Sequence, residues 1–146
     1  MYKRILIATD GSERSERAIE QGVALAKALG ATVIGLNAAP SFRIYAGSVA
    51  DITNTMEGDY REAAEERAKV YLAEVEKAAK GAGVPCETHY QYGEPIHQAI
   101  IDALGEYDCD LAVMASHGRG SVGSLLLGSV TQRVLAHGEH PVLVVR

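Results

Sequence analysis

The sequence has no tryptophan, a single phenylalanine and two cysteines, so neither a large aromatic core nor a disulfide framework organises it. Cys86 and Cys109 stand apart, with no CxxC pair and no histidine at metal-ligand spacing, so no zinc site is indicated and both are expected to be reduced core thiols. No apolar run approaches the roughly 18 residues that a spanning helix needs. The opening MYKRILIATDGS turns polar too soon for a signal peptide. The expectation is a cytoplasmic protein with no membrane partner. Positive charge is also scarce: 14 Lys+Arg against 19 Asp+Glu give a net charge of −5. Without a continuous basic stripe, nucleic acid is not an expected partner, and any polyanion site must be local.

What is present is an ordinary globular composition, 47% apolar and 23% charged over 146 residues, which fits one domain spanning 1–146. The core must be built mainly from Ala, Val, Leu and Ile. Residues 3–9 form a short apolar run ending in Asp10-Gly11-Ser12, which reads as a buried strand and a turn. From Glu13 the apolar period becomes helical through Ala18, Gly22, Leu25, Ala26 and Leu29, with Ser12 as N-cap and Gly30 as stop. Residues 31–38 read as a second strand in which Gly35 is either a weak point or a close backbone approach. Residues 40–56 show no period and carry Pro, Gly and hydroxyl residues, so they read as a long surface loop, a functional lid or a plain connection.

Ala64, Ala68, Leu72, Val75 and Ala79 then mark a helix whose acidic and basic residues form a solvated face, ending at Gly81-Ala82-Gly83. Residues 86–92 suggest a half-exposed strand, and Pro95 opens a helix running to Gly105. Residues 110–115 make a fourth strand, Val130, Val134 and Leu135 belong to a further helix, and residues 141–145 make a fifth strand. Strands alternating with four helical segments give an α/β, doubly wound, Rossmann-like sheet of five parallel strands with helices on both faces. In such folds ligands sit beyond the carboxyl ends of the strands, which directs attention to the loops after the first and fourth strands.

The stretch 115–131 is rich in glycine and hydroxyl residues between a strand and a helix. Glycines permit close backbone approach, and free amides at a helix start attract anions, so the stretch reads as a phosphate cradle or as a flexible loop before a Ser-capped helix. Gly118, Gly120 and Gly123 match GxGxxG. That motif belongs after the first strand of a dinucleotide fold, so NAD or FAD is not expected. No lysine lies between Ser116 and Thr131 to complete a Walker pattern. Asp10 is placed to meet a ribose hydroxyl or a phosphate-held metal, or to cap the first turn. His117 is a phosphate ligand, an acid/base group or a plain loop residue. Asp108-Cys109-Asp110 reads as a polar turn, and no GxSxG elbow or carboxylate pair marks a hydrolase.

Taken together, residues 5–12, the Ser116-His117-Gly118-Arg119 stretch, residues 126–131 and residues 140–145 resemble the universal stress protein family, ATP-binding branch, over essentially the whole chain. The family pattern GxxGx₉G(S/T) reads here Ala115-x-x-Gly118-x₉-Gly128-Ser129, with alanine at the first glycine position. If close approach is all that position requires, one methyl is tolerable; if it requires positive φ, nucleotide affinity suffers. The resemblance implies that Ala8, Thr9 and Ala38 line an adenine and ribose pocket with Asp10 and Met114 beside them. It implies that Ala115, Gly118, Gly128, Ser129 and Val130 hold the phosphates. Arg119 is a further charge partner by position alone.

With the cradle, the resemblance implies ATP with Mg as the ligand, bound by a homodimer that pairs through the C-terminal strand and signals to an unidentified protein partner by nucleotide occupancy. Residues 142–145 are apolar, and an exposed edge of that kind invites a second chain. The alternatives are a slow ATP hydrolase or self-phosphorylating protein using Ser129 or Thr131, and a nucleotide-free interaction module. No catalytic and no metal-ligating residue is assigned.

Overall fold

The computed structural model describes residues 1–47, 53–118 and 126–146. The elements run β1 Arg4–Ala8, α1 Glu13–Leu29, β2 Thr32–Pro40, α2 Phe42–Ala46, α3 Asn54–Ala82, β3 Cys86–Gly93, α4 Ile96–Glu106, β4 Leu111–Ala115, α5 Ser129–His137 and β5 Val142–Val145. The five strands form one sheet in the order β3-β2-β1-β4-β5, and every pairing is parallel.

Central strands of a parallel sheet are buried on both sides, which is why β1 and β4 read as unbroken apolar runs. Alternate side chains then sort to opposite faces. Ile5, Ile7, Val33 and Val113 pack with Ile19, Val23 and Ala26 of α1 and Val75 and Ala79 of α3. Leu6, Ile34, Ala112 and Met114 pack with Ile100 and Leu104 of α4 and Val134 of α5. Two small cores on either side of one sheet define the doubly wound architecture.

Local signals place the helices. Ser12 accepts from the Ser15 amide at the start of α1, and Gly30 ends it at φ 67°. In α3 the buried positions are Ala64, Ala68, Leu72, Val75 and Ala79, the stripe read from the sequence, and Gly83 closes the helix at φ 72°. Gly35 marks a close approach: an added Cβ would lie 3.0 Å from Val75 and 3.2 Å from Thr88.

Three sequence expectations are corrected. Residues 40–56 do not form one long loop, because β2 continues to Pro40, α2 occupies Phe42–Ala46 and α3 starts at Asn54. Ser41 caps α2 by accepting from the Ile44 amide, and Thr53 caps α3 by accepting from the Met56 amide. Among the described residues the helical segments therefore number five rather than four. Cys86 is half-buried rather than a core thiol, whereas Cys109 is buried. Burial pushes the Cys109 thiol up to about 11, which keeps it protonated and unreactive.

Gly22 of α1 lies close against the sheet: an added Cβ would lie 2.6 Å from Ile7 Cδ1 and 2.9 Å from its Cγ1. Gly22→Leu is expected to lower the unfolding free energy by about 1–3 kcal/mol through overpacking. Gly58 of α3 meets nothing within 4 Å, so Gly58→Ala is expected to raise it by about 0.5–1 kcal/mol. Urea denaturation reads both; a Gly22→Leu midpoint equal to that of the unsubstituted chain would contradict the contact.

Candidate functional site

The carboxyl ends of β1, β2 and β4 open into a cavity of about 370 Å³. Its sheet-side wall is apolar, with Ala8 from β1, Ala38 from β2 and Met114 from β4, backed by Ile96 and Ile100 of α4. Thr9, Asp10, Ala115, Gly118, Gly128, Ser129 and Val130 also line it. The structure thus brings together every candidate read from the sequence except Arg119, which lies outside the described residues, as do Gly120 and Gly123.

The start of α5 is tied to the end of β4. The Gly128 amide donates to the Ser116 carbonyl at 2.7 Å, and the Thr131 hydroxyl donates to the Ala115 carbonyl at 2.9 Å. Gly128 is the N-cap and supplies no side-chain oxygen to the helix, and no acidic residue lies in the first turn. The helix ladder begins only with the Gln132 amide donating to the Gly128 carbonyl. The amides of Ser129, Val130 and Thr131 thus precede it and present the positive end of the helix dipole. Such an end is a ready anion site, and here it adjoins the apolar wall.

Ala115 settles into this arrangement without strain. It is the last residue of β4, in register with Val145, and Asp108 alone among the described non-glycine residues has positive φ. The position therefore has ordinary backbone, and the methyl group is accommodated. At Gly118 an added Cβ would lie 2.5 Å from Asp10 Oδ2, so the end of the Asp10 side chain would have to shift to admit it.

Asp10 has a structural role within the cavity wall. Its Oδ1 accepts from the Ser12 amide at 2.9 Å, holding the turn into α1, while the residue also lines the cavity. Thr9 is fixed by Asn37, whose side-chain amide donates to the Thr9 carbonyl at 2.8 Å. Gly11, at φ +77°, lies under the Tyr71 ring, where any Cβ would clash. His117 is not a plain loop residue: it is buried, its Nδ1 lies 3.0 Å from Ser116 Oγ, and it lines the cavity.

The outer rim comes from residues that sequence reasoning missed. Tyr45, Tyr60, Arg67 and Tyr71 line the cavity. Tyr60 stacks on Tyr45 at 5.0 Å and packs against Phe42 at 5.2 Å and Tyr92 at 6.3 Å. Its hydroxyl donates to the Pro40 carbonyl at 3.0 Å, and Arg61 stacks 4.7 Å over Tyr92. Burial pushes the Tyr60 phenol up, with Tyr92 adding to the effect, so it remains a neutral donor. The available signal was the ratio of seven Tyr to one Phe, since tyrosine suits a half-buried rim that needs a polar tip.

Comparison with known proteins identifies the family and matches the fold. The profile of the universal stress protein family matches residues 1–146. A Thermus aquaticus relative, "Universal stress protein in QAH/OAS sulfhydrylase 3'region", is 38% identical over 150 residues and covers all of both chains. The solved structure of MJ0577, a universal stress protein of Methanocaldococcus jannaschii, superposes with a TM-score of 0.83 at 30% identity, covering 99% of this chain and 96% of that one. A universal stress protein in complex with cAMP superposes with a TM-score of 0.67 at 26% identity, covering 99% and 97% of the two chains.

The Thr131 hydroxyl holds the junction of β4 and α5, and Thr131 is buried. Thr131→Val is expected to cost about 1–3 kcal/mol by leaving the Ala115 carbonyl unpaired, whereas Thr131→Ser retains most of the stability. Thermal and urea unfolding of both variants give the comparison; equal losses would assign the effect to packing instead.

Proposed function

The chain belongs to the universal stress protein family, and from that premise we propose that it binds ATP in the cavity between β1, β4 and α5 and signals a stress state by whether that cavity is filled. The observation that carries this reading is a juxtaposition: an uncapped helix start at Gly128 and Ser129 beside a slot walled by Ala8, Ala38 and Met114. A nucleotide has the matching division, a flat apolar base at one end and phosphates at the other. The cAMP complex of a relative supports an adenine nucleotide as the class.

In this reading Ala8, Thr9, Ala38 and Met114 take the base and ribose. The amides at Ser129 and Val130 take the phosphates, with Ala115, Gly118 and Gly128 allowing close approach. Mg would arrive with the phosphates, since among the described residues no group of three His, Cys, Asp or Glu is placed to hold an ion. Binding rather than rapid turnover fits the hydroxyls: Thr131 is buried and already donates to a carbonyl, which disfavours it as a phosphoryl acceptor.

A homodimer through β5 belongs to the same proposal. β5 and β3 are the two edges of the sheet; β3 carries Glu87, His89 and Gln91, while β5 reads VLVV with Leu143 exposed. Charge blunts one edge against pairing, and the other is apolar. Among the described residues no helix is long and apolar enough to cross a membrane, in keeping with a cytoplasmic role. The protein partner that reads the filled state is of unidentified class.

Gly128→Glu tests the cradle. Gly128 has φ −61° and ψ 155°, a conformation open to any residue, so the fold should persist while a carboxylate occupies the phosphate position. Calorimetric titration with Mg-ATP is expected to show at least about a 100-fold loss of affinity, ~2.7 kcal/mol. Native mass spectrometry should show a dimer that carries nucleotide before the substitution and none after it. Undiminished affinity would defeat the assignment.

A further inference from the structure

We propose that the chain carries a second anion pocket, separate from the nucleotide cavity, in which Arg14, Arg17, Arg146 and His117 hold a phosphate-class oxyanion. These residues surround a cavity of about 210 Å³ whose remaining wall includes Leu126 and Leu127. Arg14 and Arg17 come from α1, and Arg146 follows β5. Three arginines from two parts of the chain thus line one small volume in a protein of net charge −5. Like charges gathered in this way repel unless an anion lies among them.

Position on α1 sharpens the point. Cations near a helix N-terminus face the positive end of its dipole and are disfavoured there. Glu13 and Glu16 obey that preference; Arg14 in the same turn opposes it, and Arg17 lies one position beyond. Arg17 is offset in part by Glu13 at 3.6 Å, a pair open to solvent on both sides. Arg14 is half-buried and has no carboxylate partner among the described residues. A bound oxyanion would neutralise both arginines and complement the helix start.

His117 supplies the independent observation. It is 7% exposed and walls both this pocket and the larger cavity. Its Nδ1 is engaged by Ser116 Oγ at 3.0 Å, whereas its Nε2 is buried without a hydrogen-bond partner. Buried polar atoms are rarely left unpaired without a reason. When the Ser116 hydroxyl donates to Nδ1, the ring proton sits on Nε2 and can donate to an oxyanion. Planar guanidinium forks and an N–H donor match tetrahedral phosphate, which presents several acceptor oxygens at once.

The probe is inorganic phosphate, titrated into the ¹⁵N-labelled full chain and followed by NMR. Shifts are expected at the Arg14 and Arg17 side-chain Nε and at the His117 ring. The Arg14→Gln/Arg146→Gln variant should bind phosphate at least about tenfold more weakly with an unchanged melting temperature. If that double variant fails to fold, Arg17→Gln, at an exposed position, should show a smaller loss of the same sign. Phosphate should bind equally well when the protein is saturated with Mg-ATP. The proposal is overturned by shifts confined to the Ser129 and Val130 amides, by undiminished affinity in the arginine variants, by absence of binding at millimolar phosphate, or by displacement of phosphate by ATP. The last result would assign the pocket to the nucleotide's own phosphates and leave the nucleotide reading intact.

Discussion

The site depends on the hand-over from β4 to α5. Two consecutive carbonyls at the end of the strand, those of Ala115 and Ser116, accept from the Thr131 hydroxyl and the Gly128 amide. The Ser116 amide, in turn, donates to the Val145 carbonyl at 2.7 Å. One short segment therefore binds β4, β5 and α5 together. It also sets where the helix begins, and with it the place where the first-turn amides meet the apolar ends of β1 and β2. A helix that began a residue later would shift its first amides by about 1.5 Å along the axis and rotate them by about 100° about it. Because the link is made from backbone groups and one hydroxyl, it constrains few side chains, which explains how alanine is tolerated at position 115.

Much of this was legible in the sequence, because it rests on local patterns. The strand runs, the α1 caps at Ser12 and Gly30, and the apolar stripe of α3 each follow from a period or a cap that needs no distant partner. The candidate residues after β1 and β4 converge because a parallel sheet places all its strand carboxyl ends on one edge. Once the strand order is granted, Ala8, Asp10, Met114 and Gly128 have little choice but to be neighbours.

What stayed hidden required tertiary contacts. A five-residue helix such as α2 is too short to display a period, and its stability comes from Phe42 and Tyr45 packing around Tyr60 of α3. Asn37 looks like a defect in an apolar strand until its amide is seen holding the Thr9 carbonyl. His117 sits in a stretch rich in glycine and serine, where nothing local distinguishes a buried ring from an exposed one. Nothing in the local sequence singles out Arg14 and Arg17, and only the fold sets Arg146 near them.

The division of labour between the two sides of the cavity follows from how each is built. The sheet side is made of strand ends whose backbone is pinned on both flanks, so a ligand there meets a preformed surface and loses little affinity to reorganisation. The α2–α3 side is made of aromatic rings held mainly by one another and by single hydroxyl contacts, Tyr60 to the Pro40 carbonyl and Tyr92 from the Phe42 amide. Contacts of that kind are each worth about 1 kcal/mol, weak enough to rearrange around a bound molecule. A signal of occupancy has to leave the protein through the part that can move. On the proposed reading of signalling by occupancy, the aromatic rim is the described part of the cavity wall whose contacts can rearrange when it is filled.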